Sequence, residues 1–283
     1  MKRRRLILGA GAVAAAGAGA ALYARFIEPH WVEVVRRPLP VSGLPRALQG
    51  RRLVHLSDLH LGHRVGAEYL VACLRRTRDL EPDILALTGD FITYRGPREV
   101  EDLARLLADL PRGRLATVAV LGNHDYGSGW AMPEVAAEVT RALSDAGVTV
   151  LCNAATDVGG LTVAGLGDLW AGEFHPERVL AGVGPGPAIV LCHNPDAADR
   201  PGWGGYRGWI LAGHTHGGQC RMPLLGPPIL PVRNKRYAAG EVDLGDGRRL
   251  YVNRGLGHLL PVRFLVRPEM TLFTLMTADR VTE

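Results

Sequence analysis

Five short apolar segments of this 283-residue chain each lead directly into aspartate, histidine or asparagine, and this pattern constrains the fold most. The segments have the length of buried β-strands and comprise residues 53–56, 84–87, 117–121, 188–191 and 209–211. Stretches with helical periodicity occupy residues 67–80, 98–110 and 133–146. Continuous apolar strands that alternate with helices predict an α/β fold whose strands are covered on both faces. Further apolar runs at 161–166, 250–253 and 270–276 have less helix between them, so we predict two mixed β-sheets flanked by helices.

The polar residues at the ends of the five runs are candidate metal ligands. They are Asp58 and His60, Asp90, Asn123, His193, and His214 and His216. Sites in open α/β sheets assemble at the carboxyl ends of the strands, so these side chains should meet at one place. Carboxylate, imidazole and amide groups suit Zn²⁺, Mn²⁺ or Fe better than Ca²⁺. There are more candidate ligands than one tetrahedral ion takes, which predicts a bridged pair of divalent ions.

The spacing within two motifs also gives an expectation about the backbone. Asp58 and His60, like His214 and His216, are two residues apart, so in an extended strand each pair would face the same way. Each motif alone is weak, because Gly-Asp is common in turns and Asn-His-Asp could cap a helix. We interpret the five motifs together, in this order, as one site.

The ordered pattern D-x-H, G-D, G-N-H-[DE], H and G-H-x-H resembles that of the calcineurin-like metallophosphoesterases. Segments 23–30, 213–219, 251–257 and 267–269 are also similar to those of the narrower YkuE/YaeI-type phosphodiesterases. The resemblance implies the calcineurin-like four-layer αββα sandwich.

The resemblance also implies a role for each candidate ligand. One metal ion would be held by Asp58, His60, Asp90 and His216. The other would be held by Asp90, Asn123, His193 and His214, with Asp90 bridging. A hydroxide that bridges the two ions would attack phosphorus, and His124 would be the catalytic residue that stabilises or protonates the leaving oxygen. Some relatives have G-D-x-x-D-R, whose second aspartate orients this histidine; here that position is Thr93, so we expect Asp125 or water to orient His124.

Three functions remain open at this point. The first is a phosphodiesterase or pyrophosphatase that acts on a phosphoester or diphosphate substrate. The second is a lipid-linked diphosphate hydrolase, such as a UDP-2,3-diacylglucosamine hydrolase of lipid A biosynthesis. It is motivated by two apolar loops, 222–231 and 256–262, which would either receive acyl chains or touch a membrane, or else pack against each other and the sheet. The third is a non-catalytic metal-binding protein of the cell envelope.

The amino terminus predicts export or anchoring. Residues 2–5 are basic, residues 6–24 are uncharged, and an R-R-x-L-I pattern spans residues 3–7. This is typical of a twin-arginine-like signal peptide or an N-terminal membrane anchor, so we expect residues 1–24 to direct the chain to the cell envelope, membrane-anchored or periplasmic. Residues 25–50 would form a connecting segment with a strand that leads into the domain, and residues 51–283 would form the metallophosphoesterase domain.

Charge and cysteine content exclude other classes. The chain carries 33 Lys and Arg against 28 Asp and Glu, and without the four basic residues of the leader the excess falls from +5 to +1. We therefore expect no nucleic-acid partner, and we expect a monomer. The four cysteines lack C-x-x-C spacing, so neither a zinc knuckle nor a disulfide framework is predicted. Three of them lie in or beside apolar runs, which favours buried thiols.

Overall fold

The computed structural model describes residues 15–184 and 186–278, in which twelve strands form two six-stranded sheets. The first sheet has the spatial order β1 (Glu33–Val41), β12 (Glu269–Thr277), β2 (Arg52–Leu56), β3 (Ile84–Thr88), β4 (Ala116–Val120) and β5 (Thr149–Val150). The second has the order β10 (Gly240–Asp243), β11 (Arg249–Val252), β9 (Trp209–Ala212), β8 (Ala188–Leu191), β7 (Leu161–Gly165) and β6 (Ala154–Val158). Neighbours β2 to β5 are parallel, as are β7, β8, β9 and β11, while β2 and β12, β10 and β11, and β6 and β7 pair antiparallel. Both sheets are therefore mixed, as predicted.

The two sheets pack face to face through fully buried aliphatic side chains. Leu53 and Ile84 from the first sheet share one apolar cluster with Ile189 and Leu211 from the second. The next residue along β2, Val54, points the other way, into the layer of helices. Burial on both faces explains why these strands are continuous apolar runs without polar alternation.

Helices cover the outer faces unequally. The outer face of the first sheet is covered by α1 (Ala67–Asp79), α2 (Arg98–Leu107) and α3 (Pro133–Asp145). The second sheet is covered by α4 (Glu177–Leu180), a 3₁₀ turn at Pro195–Asp199 and the rings of Trp203 and Tyr237. The four-layer αββα architecture is confirmed, with a thinner outer layer over the second sheet, where the sequence is rich in glycine and proline.

The segment before residue 51 is joined to the rest of the fold. Strand β1 pairs in parallel with β12 along its whole length, and the buried Glu28 carboxylate accepts the N–H groups of Leu265 and Val266. Residues 15–22 are helical and exposed, whereas the R-R-x-L-I pattern at 3–7 lies outside the described residues. Among the residues that the structure describes, no helix has the length and apolar character needed to cross a membrane.

All four cysteines are free, but only two are buried, whereas the apolar runs favoured buried thiols for three of them. Cys73 and Cys192 are buried, Cys152 is exposed and Cys220 is partly exposed. Cys152 follows the short edge strand β5 and so reaches solvent although its preceding neighbours are apolar.

Candidate metal centre

The loops that follow β2, β3, β4, β8 and β9 meet at one edge of the sandwich. Backbone hydrogen bonds join them: Asp58 N donates to Gly89 O, and Gly213 N donates to His193 O. The seven predicted ligands are all buried, each at most 5% exposed: Asp58, His60, Asp90, Asn123, His193, His214 and His216. The predicted convergence of five strand ends is therefore present in the structure.

The backbone at these ligands is not extended, so the expectation that extended spacing orients each pair is wrong. Asp58 has a φ of 53°, His60 of 49°, Asp90 of 54°, His214 of 71° and His216 of 50°. Left-handed backbone costs a non-glycine residue roughly 1–2 kcal/mol, and such strain is typical of functional sites.

Two glycines make room for this arrangement. A Cβ atom at Gly122 would collide with the Asp90 carboxylate and with the ring of His193. A Cβ atom at Gly213 would collide with the side chains of Ser57 and Asp58. The glycines that precede Asn123 and His214 are thus required by close packing around the ligands.

The seven predicted ligands contribute two clusters of ligand atoms, and a further group of His60, Asp90 and His124 overlaps both. In the first, His60 Nε2 lies 3.0 Å from His216 Nε2, which lies 3.5 Å from Asp58 Oδ1. In the second, His193 Nε2 lies 3.1 Å from His214 Nδ1 and 3.2 Å from Asp90 Oδ2. Within each cluster, the candidate ligand atoms all lie within 4.8 Å of one another.

Asp90 lies between the two clusters. Its Oδ1 accepts the backbone N–H of His124 at 2.9 Å. Its Oδ2 lies 3.4 Å from His60 Nε2 in the first cluster and 3.2 Å from His193 Nε2 in the second. One carboxylate oxygen therefore contacts both clusters, which is the position that a bridging ligand requires.

Hydrogen bonds on the far side of two imidazoles leave lone pairs directed into the site. His193 Nδ1 lies 2.7 Å from Thr88 O, and His214 Nε2 lies 3.1 Å from Pro231 O. When each of these nitrogens donates to its carbonyl, the opposite nitrogens, His193 Nε2 and His214 Nδ1, are free to bind a metal.

The electrostatics of the buried groups favours a cation. Burial lowers the pKa of His60 and of His214 to about 3, so both imidazoles are neutral at pH 7. Burial alone would also lower the pKa of His193, but the Asp90 carboxylate raises it well above its usual range. Burial opposes ionisation of Asp90, yet the neighbouring His193 and His124 hold its pKa well below the usual value. The Asp90 carboxylate is therefore ionised and paired with a protonated His193, while His60 and His214 are neutral, and a divalent cation would take the place of the proton on His193.

Asn123 provides a separate test of whether a metal fits. Among the described residues, its buried Oδ1 and Nδ2 atoms have no hydrogen-bond partner. An unsatisfied buried amide costs about 1–3 kcal/mol, and coordination through Oδ1 would offset part of that cost. The residues present therefore fit divalent metal ions, and the structure holds His and Asp clusters able to bind them.

His124 is half-buried next to the metal ligands. Its ring centroid lies 5.0 Å from that of His60, and its Nδ1 lies 3.1 Å from the backbone oxygen of Thr93. The expectation that Asp125 orients His124 is wrong, because the Asp125 carboxylate instead accepts the N–H groups of Asp90, Phe91 and Gly122. The backbone carbonyl of Thr93 orients the ring through Nδ1, and a ring nitrogen of His124 groups with the ligand atoms of His60 and Asp90.

Two tryptophans next to the ligands were not predicted from the sequence. Trp130 and Trp170 stack with centroids 4.7 Å apart, and the ring of Trp170 lies 4.3 Å from that of His214. Trp130 lies edge-to-face against His124 at 6.4 Å. They come from different loops and have no shared motif, so only the fold brings them together.

The two apolar loops differ in exposure. In loop 222–231, Leu224, Leu225 and Ile229 are highly exposed, and Pro231 is the residue whose carbonyl contacts His214. In loop 256–262, Leu256 and His258 are buried and Leu260 is exposed. The first loop is thus an exposed apolar segment beside the metal ligands, while the second is mostly packed.

Comparison with known proteins agrees with the geometry. Residues 51–218 match the family model of calcineurin-like phosphoesterases. The chain is 35% identical to metallophosphoesterase YkuE of Bacillus subtilis, with 99% of each chain covered. It is 34% identical to phosphodiesterase YaeI of Escherichia coli, with 98% of this chain and 100% of that protein covered. It is also 29% identical to UDP-2,3-diacylglucosamine pyrophosphatase LpxG of Chlamydia trachomatis, with 89% and 91% covered. The chain therefore belongs to the calcineurin-like phosphoesterase family and is a metallophosphoesterase, a hydrolase of phosphoester bonds.

Proposed function

We propose that this protein hydrolyses phosphodiester or pyrophosphate bonds with two divalent ions, Mn²⁺, Zn²⁺ or Fe. The observation that carries the proposal is the position of Asp90 Oδ2, which lies within 3.4 Å of a ligand nitrogen in each cluster. A single carboxylate oxygen in this position is suited to hold two cations at the separation of roughly 3.5–4 Å that is typical of two-metal hydrolases.

The chain supplies distinct groups for the reaction. Asp58, His60 and His216 would hold one ion, and Asn123, His193 and His214 the other, with Asp90 shared. When bound, such ions polarise the phosphoryl oxygens and lower the pKa of a water molecule. Protonated His124 would donate from Nε2 to the leaving oxygen while Nδ1–H stays bonded to the Thr93 carbonyl.

Metal reconstitution tests the proposal. The chelated protein would be loaded separately with Mn²⁺, Zn²⁺ and Fe²⁺, and turnover of bis-(p-nitrophenyl) phosphate would be followed together with the bound metal per chain. We expect activity to rise with occupancy toward two ions and to be low at one. Two bound ions without turnover of any diester or pyrophosphate would instead favour the non-catalytic envelope protein.

A second candidate is hydrolysis of a lipid-linked diphosphate such as UDP-2,3-diacylglucosamine. The specific observation is loop 222–231, whose exposed leucines lead into Pro231, the residue that contacts His214. An acyl chain on this loop would place an attached diphosphate next to the ligand clusters. The similarity to LpxG supports the same substrate class.

The lipid candidate predicts a dependence on acyl chain length. Each buried methylene is worth about 0.8 kcal/mol, so kcat/KM on diphosphate substrates should rise with chain length. Substitution of Leu224 and Leu225 by serine should flatten that rise, whereas Leu115→Ser, at another exposed leucine, should leave it intact. A flat response in the unmodified protein would remove the lipid candidate and leave the broader phosphodiesterase.

The cellular location is also a proposal. The basic residues 2–5 and the uncharged residues 6–24 support export through a twin-arginine-like leader or retention by a membrane anchor. The enzyme would then act in the cell envelope, where a substrate embedded in a membrane can reach it.

A further inference from the structure

Most exposed large hydrophobic side chains of this protein belong to three segments. The structure describes twelve such side chains in residues 15–184 and 186–278, and only Leu115 and Trp170 lie elsewhere. The other ten are Leu22, Phe26, Ile27 and Trp31; Met222, Leu224, Leu225 and Ile229; and Leu260 and Leu265. We call the surface formed by segments 22–31, 222–229 and 260–265 the apolar face.

The three segments contact one another, so the face is continuous. The ring of Tyr23 meets the ring of Phe264 edge-to-face at 6.4 Å, and Arg263 N donates to Ala24 O at 2.9 Å. Arg221 N, which directly precedes the second segment, donates to Phe264 O at 2.8 Å. The third segment therefore lies between the other two and joins them.

The segments of the apolar face and their neighbours in sequence carry mostly basic charge. In residues 15–31, 219–236 and 258–267 the sequence has a single acidic residue, Glu28, which is buried and bonded to the N–H groups of Leu265 and Val266. Exposed cationic side chains in the same stretches include Arg25, Arg221, Arg233, Lys235 and Arg236.

We propose that the apolar face docks onto an anionic lipid bilayer. Exposed apolar patches of this kind mark interaction sites, and apolar side chains edged by Arg and Lys are typical of surfaces that lie in the headgroup region of membranes. Charge complementarity favours an anionic surface. The chain also reaches this face through the exposed helical residues 15–22, which continue the uncharged run from residue 6.

Docking in this way would orient the catalytic site. Loop 222–231 forms part of the face at Leu224 and Leu225 and contacts the metal-ligand cluster at Pro231. The ligand clusters would therefore lie close to the headgroup layer. The docking step does not depend on which phosphoester is hydrolysed, so it can be tested without any substrate.

Vesicle co-sedimentation tests the docking surface. The full chain would be mixed with vesicles of phosphatidylglycerol and phosphatidylcholine, or of phosphatidylcholine alone. The triple variant Leu224→Ser, Leu225→Ser and Ile229→Ser would be compared with Leu115→Ser, which makes the same leucine-to-serine change at one exposed leucine outside the apolar face. Thermal melting of each variant would establish that it is folded.

We expect the triple variant to partition about 100-fold more weakly into anionic vesicles, because burying one leucine fully is worth more than tenfold in an equilibrium constant. Arg25→Gln and Arg221→Gln should each weaken binding about fivefold, and only at low salt. Leu115→Ser should bind like the unmodified protein. Backbone amides of residues 222–229 should gain protection from hydrogen exchange on anionic vesicles.

Three outcomes would overturn the proposal. The first is equal binding of the triple variant and the unmodified protein, without protection at 222–229, which would assign all membrane binding to the leader. The second is equal binding to neutral and anionic vesicles. The third is loss of self-association in the triple variant with unchanged vesicle binding, which would make the face a contact between protein chains.

Discussion

The substitution Asp90→Asn tests the two-ion site most directly, because the structure fixes how the new side chain would lie. Asp90 Oδ1 accepts the N–H of His124 at 2.9 Å. An asparagine must keep its carbonyl oxygen on that side, since its amide N–H₂ group cannot accept a hydrogen bond. The N–H₂ group would then occupy the Oδ2 position, 3.4 Å from His60 Nε2 and 3.2 Å from His193 Nε2, where it offers no lone pair to a cation.

The expected loss follows from charge. Two unit charges 4 Å apart interact by about 4 kcal/mol at an effective dielectric constant of 20, so two divalent ions repel by about 16 kcal/mol at that distance. The shared carboxylate offsets this repulsion. If loss of the carboxylate charge restored only a quarter of the repulsion between the ions, about 4 kcal/mol, the second ion would bind about a thousandfold more weakly.

The assay measures metal and turnover together. Metal content per chain after gel filtration should fall from two to at most one, and kcat/KM on bis-(p-nitrophenyl) phosphate should fall by about a thousandfold or more. Asp83→Asn is the matched control, because Asp83 is also a buried carboxylate but bonds to Arg51 and to the backbone of Arg52. The control should lose some stability and keep both ions. If Asp90→Asn keeps two ions and turns over within tenfold of the unmodified protein, the bridging assignment is wrong.

Three further changes test other groups. His124→Ala should lower kcat by about 100-fold or more while both ions are retained, and the loss should be smallest for substrates with good leaving groups. Thr93→Ala keeps the backbone carbonyl that orients His124, so it should lower kcat by less than about tenfold. Equal losses of kcat for nitrophenyl and alkyl esters would contradict the acid role of His124. Burial lowers the pKa of His55 to about 3, so between pH 6.5 and 3 the unfolded chain binds more protons than the folded one, and stability falls as the pH falls. His55 should account for about 2 kcal/mol of the unfolding free energy lost between pH 7 and 5. In denaturant titrations, the unfolding free energy of His55→Gln should therefore fall less over this pH range than that of the unmodified protein. An equal fall in both proteins would contradict the prediction. Replacing residues 3–5 with lysines should block export by a twin-arginine route, and normal export of that variant would point to another signal or an anchor.

The strands could be predicted because their residues are buried on both faces. The run at 188–191 coincides with β8, and the runs at 53–56 and 84–87 each fall one residue short of β2 and β3. The edge strands β6 and β10 were not predicted, because nearly all of their residues are exposed or only partly buried. An edge strand buries too little apolar surface to leave a continuous run in the sequence.

The site could be predicted in its residue types but not in its local geometry. The motifs locate Asp58, His60 and Asp90 at strand ends, but they do not indicate the positive φ values of these residues or the close packing around Gly122 and Gly213. The partner of His124 is a backbone carbonyl, and every residue has one, so no side-chain motif records it. The stacking of Trp130 on Trp170 likewise depends on how two loops fold.

Each ligand cluster draws side chains from both sheets. In the first, Asp58 and His60 follow β2, while His216 follows β9; the two histidines whose Nε2 atoms lie 3.0 Å apart are separated by 156 residues in sequence. A cation held there would act as a reversible cross-link between the halves of the sandwich, closing a long loop of the chain. Because bound metal would stabilise only the assembled state, the resistance of the whole domain to unfolding would follow the concentration of free metal around it. The same ions that serve hydrolysis would thus also set how long the enzyme survives where metal is scarce.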